Sequence, residues 1–70
     1  MELAKKVGNN VKEIRKLNGL TQKQVAAKFY MTQQQYSRFE NGVFEFNYSQ
    51  IVGLCKLLGT TPNEIFGYDY

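Results

Sequence analysis

The stretch Thr21-Gln22-Lys23-Gln24-Val25-Ala26-Ala27-Lys28-Phe29-Tyr30-Met31-Thr32-Gln33-Gln34-Gln35-Tyr36-Ser37-Arg38-Phe39-Glu40-Asn41-Gly42 contains two helix starts eleven residues apart, each built the same way. Thr21 can cap the free amides of the first while Gln24, three residues on, reaches back; Leu20 before the cap can pack on Val25. Thr32, Gln35, Met31 and Tyr36 repeat the scheme. The first helix is expected over the eight residues Gln22 to Phe29. Only Tyr30 and Met31 then separate it from the next cap, so the two helices must cross steeply.

That arrangement is a helix-turn-helix, and its DNA-binding version lays the second helix in the major groove. Outward from it, Leu3, Val7, Val11, Ile14 and Leu17 recur at steps of three and four, placing one apolar stripe on a first helix that ends near Asn18-Gly19. Val25, Ala26 and Phe29 form the buried face of the second helix, and Tyr36, Phe39 and Glu40 that of the third. Asn47 and Gln50 cap a fourth helix with a stripe of Ile51, Leu54, Cys55 and Leu58, ending at Gly59. Thr61-Pro62-Asn63-Glu64 begins a fifth, with proline at the first helical position. Four capping boxes and no alternating strand pattern make the chain all-α. Its 70 residues, 43% apolar, suit a single domain spanning 1–70 with one small core.

Composition narrows the chemistry. There is no histidine, and Cys55 is the only cysteine. His-based metal sites, Cys-His dyads, zinc ribbons and an intrachain disulfide are all excluded, no metal or cofactor is expected, and Cys55 reads as a small core residue. Ser37 and Ser49 lack a histidine base and the few carboxylates show no catalytic pairing, so an enzyme is the weakest class. The start, Met1-Glu2-Leu3-Ala4-Lys5-Lys6, has no signal-peptide apolar region, and Ile51 to Cys55 is far below the ~20 residues that cross a bilayer. A soluble, reduced, cytoplasmic protein with no membrane partner is expected. Charge is uneven: residues 1–38 hold eight Lys or Arg against two Glu, a net +6, and residues 39–70 hold one Lys against four carboxylates, a net −3. The first half attracts polyanions.

In register, Ile14-Arg15, Leu20-Thr21-Gln22, Val25-Ala26, Thr32-Gln33-Gln34-Gln35, Glu40-Asn41-Gly42, Leu58-Gly59-Thr60-Thr61 and Glu64-Ile65-Phe66 resemble the lambda-repressor and Cro-like helix-turn-helix family, also called the XRE type. The resemblance runs from about Val11 to Phe66. It implies a compact five-helix bundle of lambda-repressor-like type, with helices 2 and 3 forming the motif, that binds a double-stranded DNA operator as a transcription regulator, usually as a homodimer. A repressor of bacterial or phage type is the leading reading. An antitoxin-like or other protein-interaction module of the same fold is the alternative, with Phe44, Phe46 and Tyr48, or Phe66, Tyr68 and Tyr70, as a partner surface. The chain departs from the family at Tyr30, where glycine is usual, and in the loop Val43-Phe44-Glu45-Phe46, which is often basic. Gly53 is an unfavourable residue for a helix interior, costing about 1 kcal/mol against Ala if exposed.

Because Tyr36 and Phe39 bind the third helix to the core, Gln33, Gln34, Ser37, Arg38 and Asn41 lie on or beside its outer face. A glutamine amide matches the paired donor and acceptor of adenine, and arginine supplies two donors for the two acceptors of guanine. Gln33, Gln34 and Arg38 thus form a base-reading set, to which the resemblance adds Ser37. It also assigns Gln22 to the DNA backbone, where Lys23 and Asn41 can join it. Arg15 and Glu40 lie within or beside apolar stripes, and the resemblance implies that they pair, tying helix one to the end of helix three. One recognition helix spans too few base pairs to select a site, so a dimer is expected, with Phe66, Tyr68 and Tyr70 near the fifth helix at its interface.

Overall fold

The computed structural model describes residues 2–68 and contains five helices: α1 Glu2–Leu17, α2 Gln22–Lys28, α3 Gln33–Glu40, α4 Tyr48–Leu58 and α5 Pro62–Phe66. Among the described residues there is no strand. Each of α2, α3 and α4 opens on a complete capping box: the side chains of Thr21, Thr32 and Asn47 accept from the amides of Gln24, Gln35 and Gln50, whose side-chain oxygens accept from the cap amides in return. The fourth expected box, on α5, is half formed. The Thr61 hydroxyl accepts from the Glu64 amide, but the Glu64 carboxylate takes its hydrogen bond from that same hydroxyl at 3.3 Å. Local sequence therefore sets every helix start after α1, each cap satisfying amides that the first turn leaves without partners.

Val7, Val11, Val25, Ala26, Tyr36, Ile51, Leu54, Leu58 and Ile65 form the core. α1 runs past α3, α4 and α5, and α2 packs on α3. Two asparagines, one in α1 and one just after its end, fasten this part of the chain to the second half: Asn10 Nδ2 donates to the Ile65 carbonyl at 2.9 Å and Asn18 Nδ2 to the Leu58 carbonyl at 3.1 Å.

The buried stripe of α1 differs from the expected one at both ends. Ala4, Val7, Gly8, Val11 and Arg15 face inward, whereas Leu17 is 87% exposed and Leu3 44%. The crossing with α3 explains the shift. A Cβ on Gly8 would lie only 2.6 Å from the Phe39 carbonyl oxygen and closer still to that of Glu40, so α1 meets the end of α3 backbone to backbone, and the stripe follows the glycine. Gly53 has a comparable reason. A Cβ there would lie 2.8 Å from Phe29 Cε1, so the absent side chain makes room for the Phe29 ring against α4. Phe29 is the C-cap of α2, which ends one residue earlier than expected.

The turn between α2 and α3 is closed by two bonds, Met31 N–H to the Ala26 carbonyl at 3.0 Å and Tyr30 N–H to the Ala27 carbonyl at 3.3 Å. This pattern requires a left-handed residue after the C-cap, and Tyr30 occupies it with φ 57°. No other non-glycine residue among those described has positive φ. Its side chain is 98% exposed, so the ring gains nothing to offset the backbone strain.

Candidate nucleic-acid interface

Packing decides which residues α3 offers to solvent. Tyr36 is fully buried and Glu40 nearly so. Phe39 stacks on Phe46 with ring centroids 5.1 Å apart and tilts against Phe44 at 5.7 Å. Those contacts leave Gln33, Gln34 and Arg38 exposed and Ser37 partly so. With Gln22 from α2 they line one open recess of about 410 Å³. Gln35 stands apart from this set, its side-chain oxygen engaged by the Thr32 amide at 2.9 Å. Asn41, the C-cap of α3, donates from Nδ2 to Ser37 Oγ at 3.3 Å, and Lys23 is exposed in the first turn of α2; neither lines the recess.

Behind the recess lies a buried polar cluster. Arg15 Nε donates to Glu40 Oε2 at 2.7 Å and Nη2 to Oε1 at 3.1 Å, a bidentate pair, while Nη1 donates to the Leu20 carbonyl at 2.8 Å. Arg15 is 7% exposed and Glu40 3%. The cluster thus joins α1, the α1–α2 junction and the end of α3. Burial pushes the Glu40 carboxyl up, but the hydrogen bonds from Arg15 and Gln22, with the Tyr36 phenol close by, more than offset this, and it lies below the ordinary carboxylate range. The hydrogen bond to Glu40 raises Arg15 in turn. Tyr36 is raised well above the usual phenol value, first by burial and then by the Glu40 charge, and its hydroxyl makes no hydrogen bond.

Gln22 connects this cluster to the recess. Its Nε2 donates to Glu40 Oε1 at 3.0 Å, and its Oε1 faces Gln33 Nε2 at 3.5 Å. Sequence reasoning did not anticipate the Gln22–Glu40 bond, because eighteen residues separate the two and only the steep crossing of α2 on α3 brings them together. It also missed a second open recess of about 360 Å³ lined by Tyr30, Met31, Gln35, Arg38, Phe39 and Phe44, so that Arg38 borders both hollows. The apolar loop Val43-Phe44-Glu45-Phe46 was the available signal.

At the other end of the chain, Phe66 is half-buried against the core, and Tyr68 is 56% exposed with Lys6 Nζ 5.4 Å from its ring centroid. Tyr70 lies outside the described residues. No described helix is long and apolar enough to cross a membrane. A model of the helix-turn-helix family matches residues 11–65. No curated protein and no solved structure matches the chain.

Proposed function

The chain belongs to the lambda-repressor/Cro-like, XRE-type helix-turn-helix family of DNA-binding regulators, and from that premise we propose that it is a sequence-specific repressor, bacterial or phage-encoded and acting in the cytoplasm, that reads the major groove of an operator with α3. The observation that carries this reading is the recess formed by Gln22, Gln33, Gln34, Ser37 and Arg38, five side chains of hydrogen-bonding type collected from two helices on one face. Gln33 and Gln34 have the donor and acceptor pair that adenine presents, and Arg38 the two donors that guanine accepts, with Ser37 as a neighbour. Gln22, Lys23 and Asn41, at the margins of this face, hold the sugar-phosphate backbone and set the register of the helix on the duplex.

A single α3 touches only a few base pairs, and discrimination of ~1–3 kcal/mol per base does not isolate one site in a genome. The proposal therefore includes a homodimer, its interface at the acidic end of the chain around Phe66, Tyr68 and Tyr70, with recognition helices ~34–36 Å apart in successive major grooves. The exposed Val43, Phe44 and Tyr48 favour one second reading, an antitoxin-like module that binds a protein partner as well as DNA.

Selection from random duplex DNA tests the reading, and a two-fold symmetric enriched motif is the expected result. On the best duplex, Gln34→Ala and Arg38→Ala should each weaken binding by ~1–3 kcal/mol while changing scrambled duplexes much less, and Gln22→Ala should weaken binding to scrambled duplexes as well, as the loss of a backbone contact does. Equal losses on both duplexes with Arg38→Ala would reassign Arg38 to the backbone. No enrichment, together with a co-purifying protein, would replace the repressor reading with the interaction module.

A further inference from the structure

Resting on the reading of α3 as the base-reading helix, we propose that Glu40 is a positioning residue for base recognition: its carboxylate fixes the amide of Gln22, and Gln22 fixes which end of the Gln33 amide faces the DNA. An ionised carboxylate has no proton to give, so a glutamine beside it must present its NH2 group. Gln22 does so, Nε2 lying 3.0 Å from Glu40 Oε1. Its own oxygen is thereby turned the other way, where it stands 3.5 Å from Gln33 Nε2. Gln33 then points its NH2 group at Gln22 and keeps one N–H and its whole oxygen for the groove, the combination that pairs with adenine N7 and N6.

Direction along this chain comes from Glu40 alone among its members, because every amide in it can present either end. Arg15 contributes by claiming both carboxylate oxygens, at 2.7 and 3.1 Å, and so holding the acceptor in place. A glutamine at position 40 could offer NH2 or oxygen, and Gln22 and Gln33 would lose their shared orientation. At 3.5 Å the last link lies at the long end of hydrogen bonding, so it biases the Gln33 rotamer more than it locks it. The expected effect is accordingly a partial loss at one base pair.

The experiment measures dissociation constants on the best duplex from the random-sequence selection and on its single-base-pair variants, by fluorescence anisotropy. Gln33→Ala first identifies the base pair that Gln33 reads, as the position whose preference it flattens. Glu40→Gln, shown folded by circular dichroism, should reduce the preference at that base pair by about tenfold and leave the preferences assigned to Gln34 and Arg38 unchanged. A folded Glu40→Gln variant with full preference at the Gln33 position, or with equal loss at every position, overturns the relay. If Glu40→Gln does not fold, Gln22→Met decides, since it cuts the relay and leaves the Arg15–Glu40 pair intact: beyond the uniform loss expected from its backbone contact, an added loss of preference at the Gln33 position supports the proposal, and a uniform loss with the Gln33 preference intact overturns it. Gln33→Ala flattening no position would overturn the base contact by Gln33 itself and the relay with it, an outcome distinct from failure of the relay alone.

Discussion

Replacing Tyr30 by glycine should stabilise the protein, although it deletes an entire aromatic side chain. Tyr30 closes the turn between α2 and α3 at φ 57°, a conformation that places an L-residue's Cβ against its own carbonyl and costs roughly 1–2 kcal/mol. Glycine removes that strain. It also adds freedom to the unfolded chain, a destabilisation of roughly 0.4–1 kcal/mol. Nothing else enters, because the ring is 98% exposed. The net gain is about 0.5–1 kcal/mol, which for a domain of this size raises the melting temperature by roughly 2–8 °C. Two further variants isolate the cause. Tyr30→Ala keeps the Cβ and hence the strain, so it should stay within about 0.5 kcal/mol of the parent. Tyr30→Asn, whose short polar side chain tolerates the left-handed region, should fall between Ala and Gly. Thermal and urea melts of the four proteins give the order, and a glycine variant no more stable than the alanine variant would refute the strain argument.

Glu40→Ala should cost about 3–5 kcal/mol, because it leaves the Arg15 guanidinium buried without its bidentate partner, whereas Arg15→Met combined with Glu40→Leu should cost far less; a urea-melt coupling below about 1 kcal/mol would deny the pair that energy. The pH dependence follows from the two shifted groups with opposite signs. Glu40 lies below its unfolded value, so its contribution is present above about pH 4.5 and is lost as pH falls through the folded value; Tyr36 lies above its unfolded value, so its contribution is complete below about pH 10 and fades as pH rises beyond it. Melts from pH 3 to pH 11 should show both limbs, and Tyr36→Phe, which also removes a buried hydroxyl without a hydrogen bond, should flatten the alkaline limb and leave neutral-pH stability equal or higher by up to about 1 kcal/mol. Gly8→Ala should cost at least 1–3 kcal/mol despite alanine's better helix propensity, since its methyl group meets backbone oxygens of Phe39 and Glu40 that cannot rotate aside; a more stable variant in a urea melt would show that α1 and α3 part easily.

The sequence by itself determined the five helices and the face that α3 turns to solvent. Caps are local chemistry, a hydroxyl or amide reaching three residues along the chain, so Thr21, Thr32, Asn47 and Thr61 announce their helices without reference to the rest of the molecule. The outward set of Gln33, Gln34 and Arg38 follows in the same way, from the helical spacing of Tyr36 and Phe39. What only the tertiary structure decided depends on how closely helices approach. The stripe of α1 turned toward Ala4, Gly8 and Arg15, and away from Leu3 and Leu17, because α1 meets the backbone of α3 at Gly8. Gly53, unfavourable as a helix residue, is accommodated because the Phe29 ring lies against it. The half-formed cap at Glu64 turned on one hydroxyl choosing its acceptor. The bond from Gln22 to Glu40, and the recess that Gln22 shares with α3, required two helices to cross at one particular place. Periodicity reports which side of a helix is apolar; it carries no information about the distance at which two helices pass, and it is that distance that brought Gln22 within reach of Glu40.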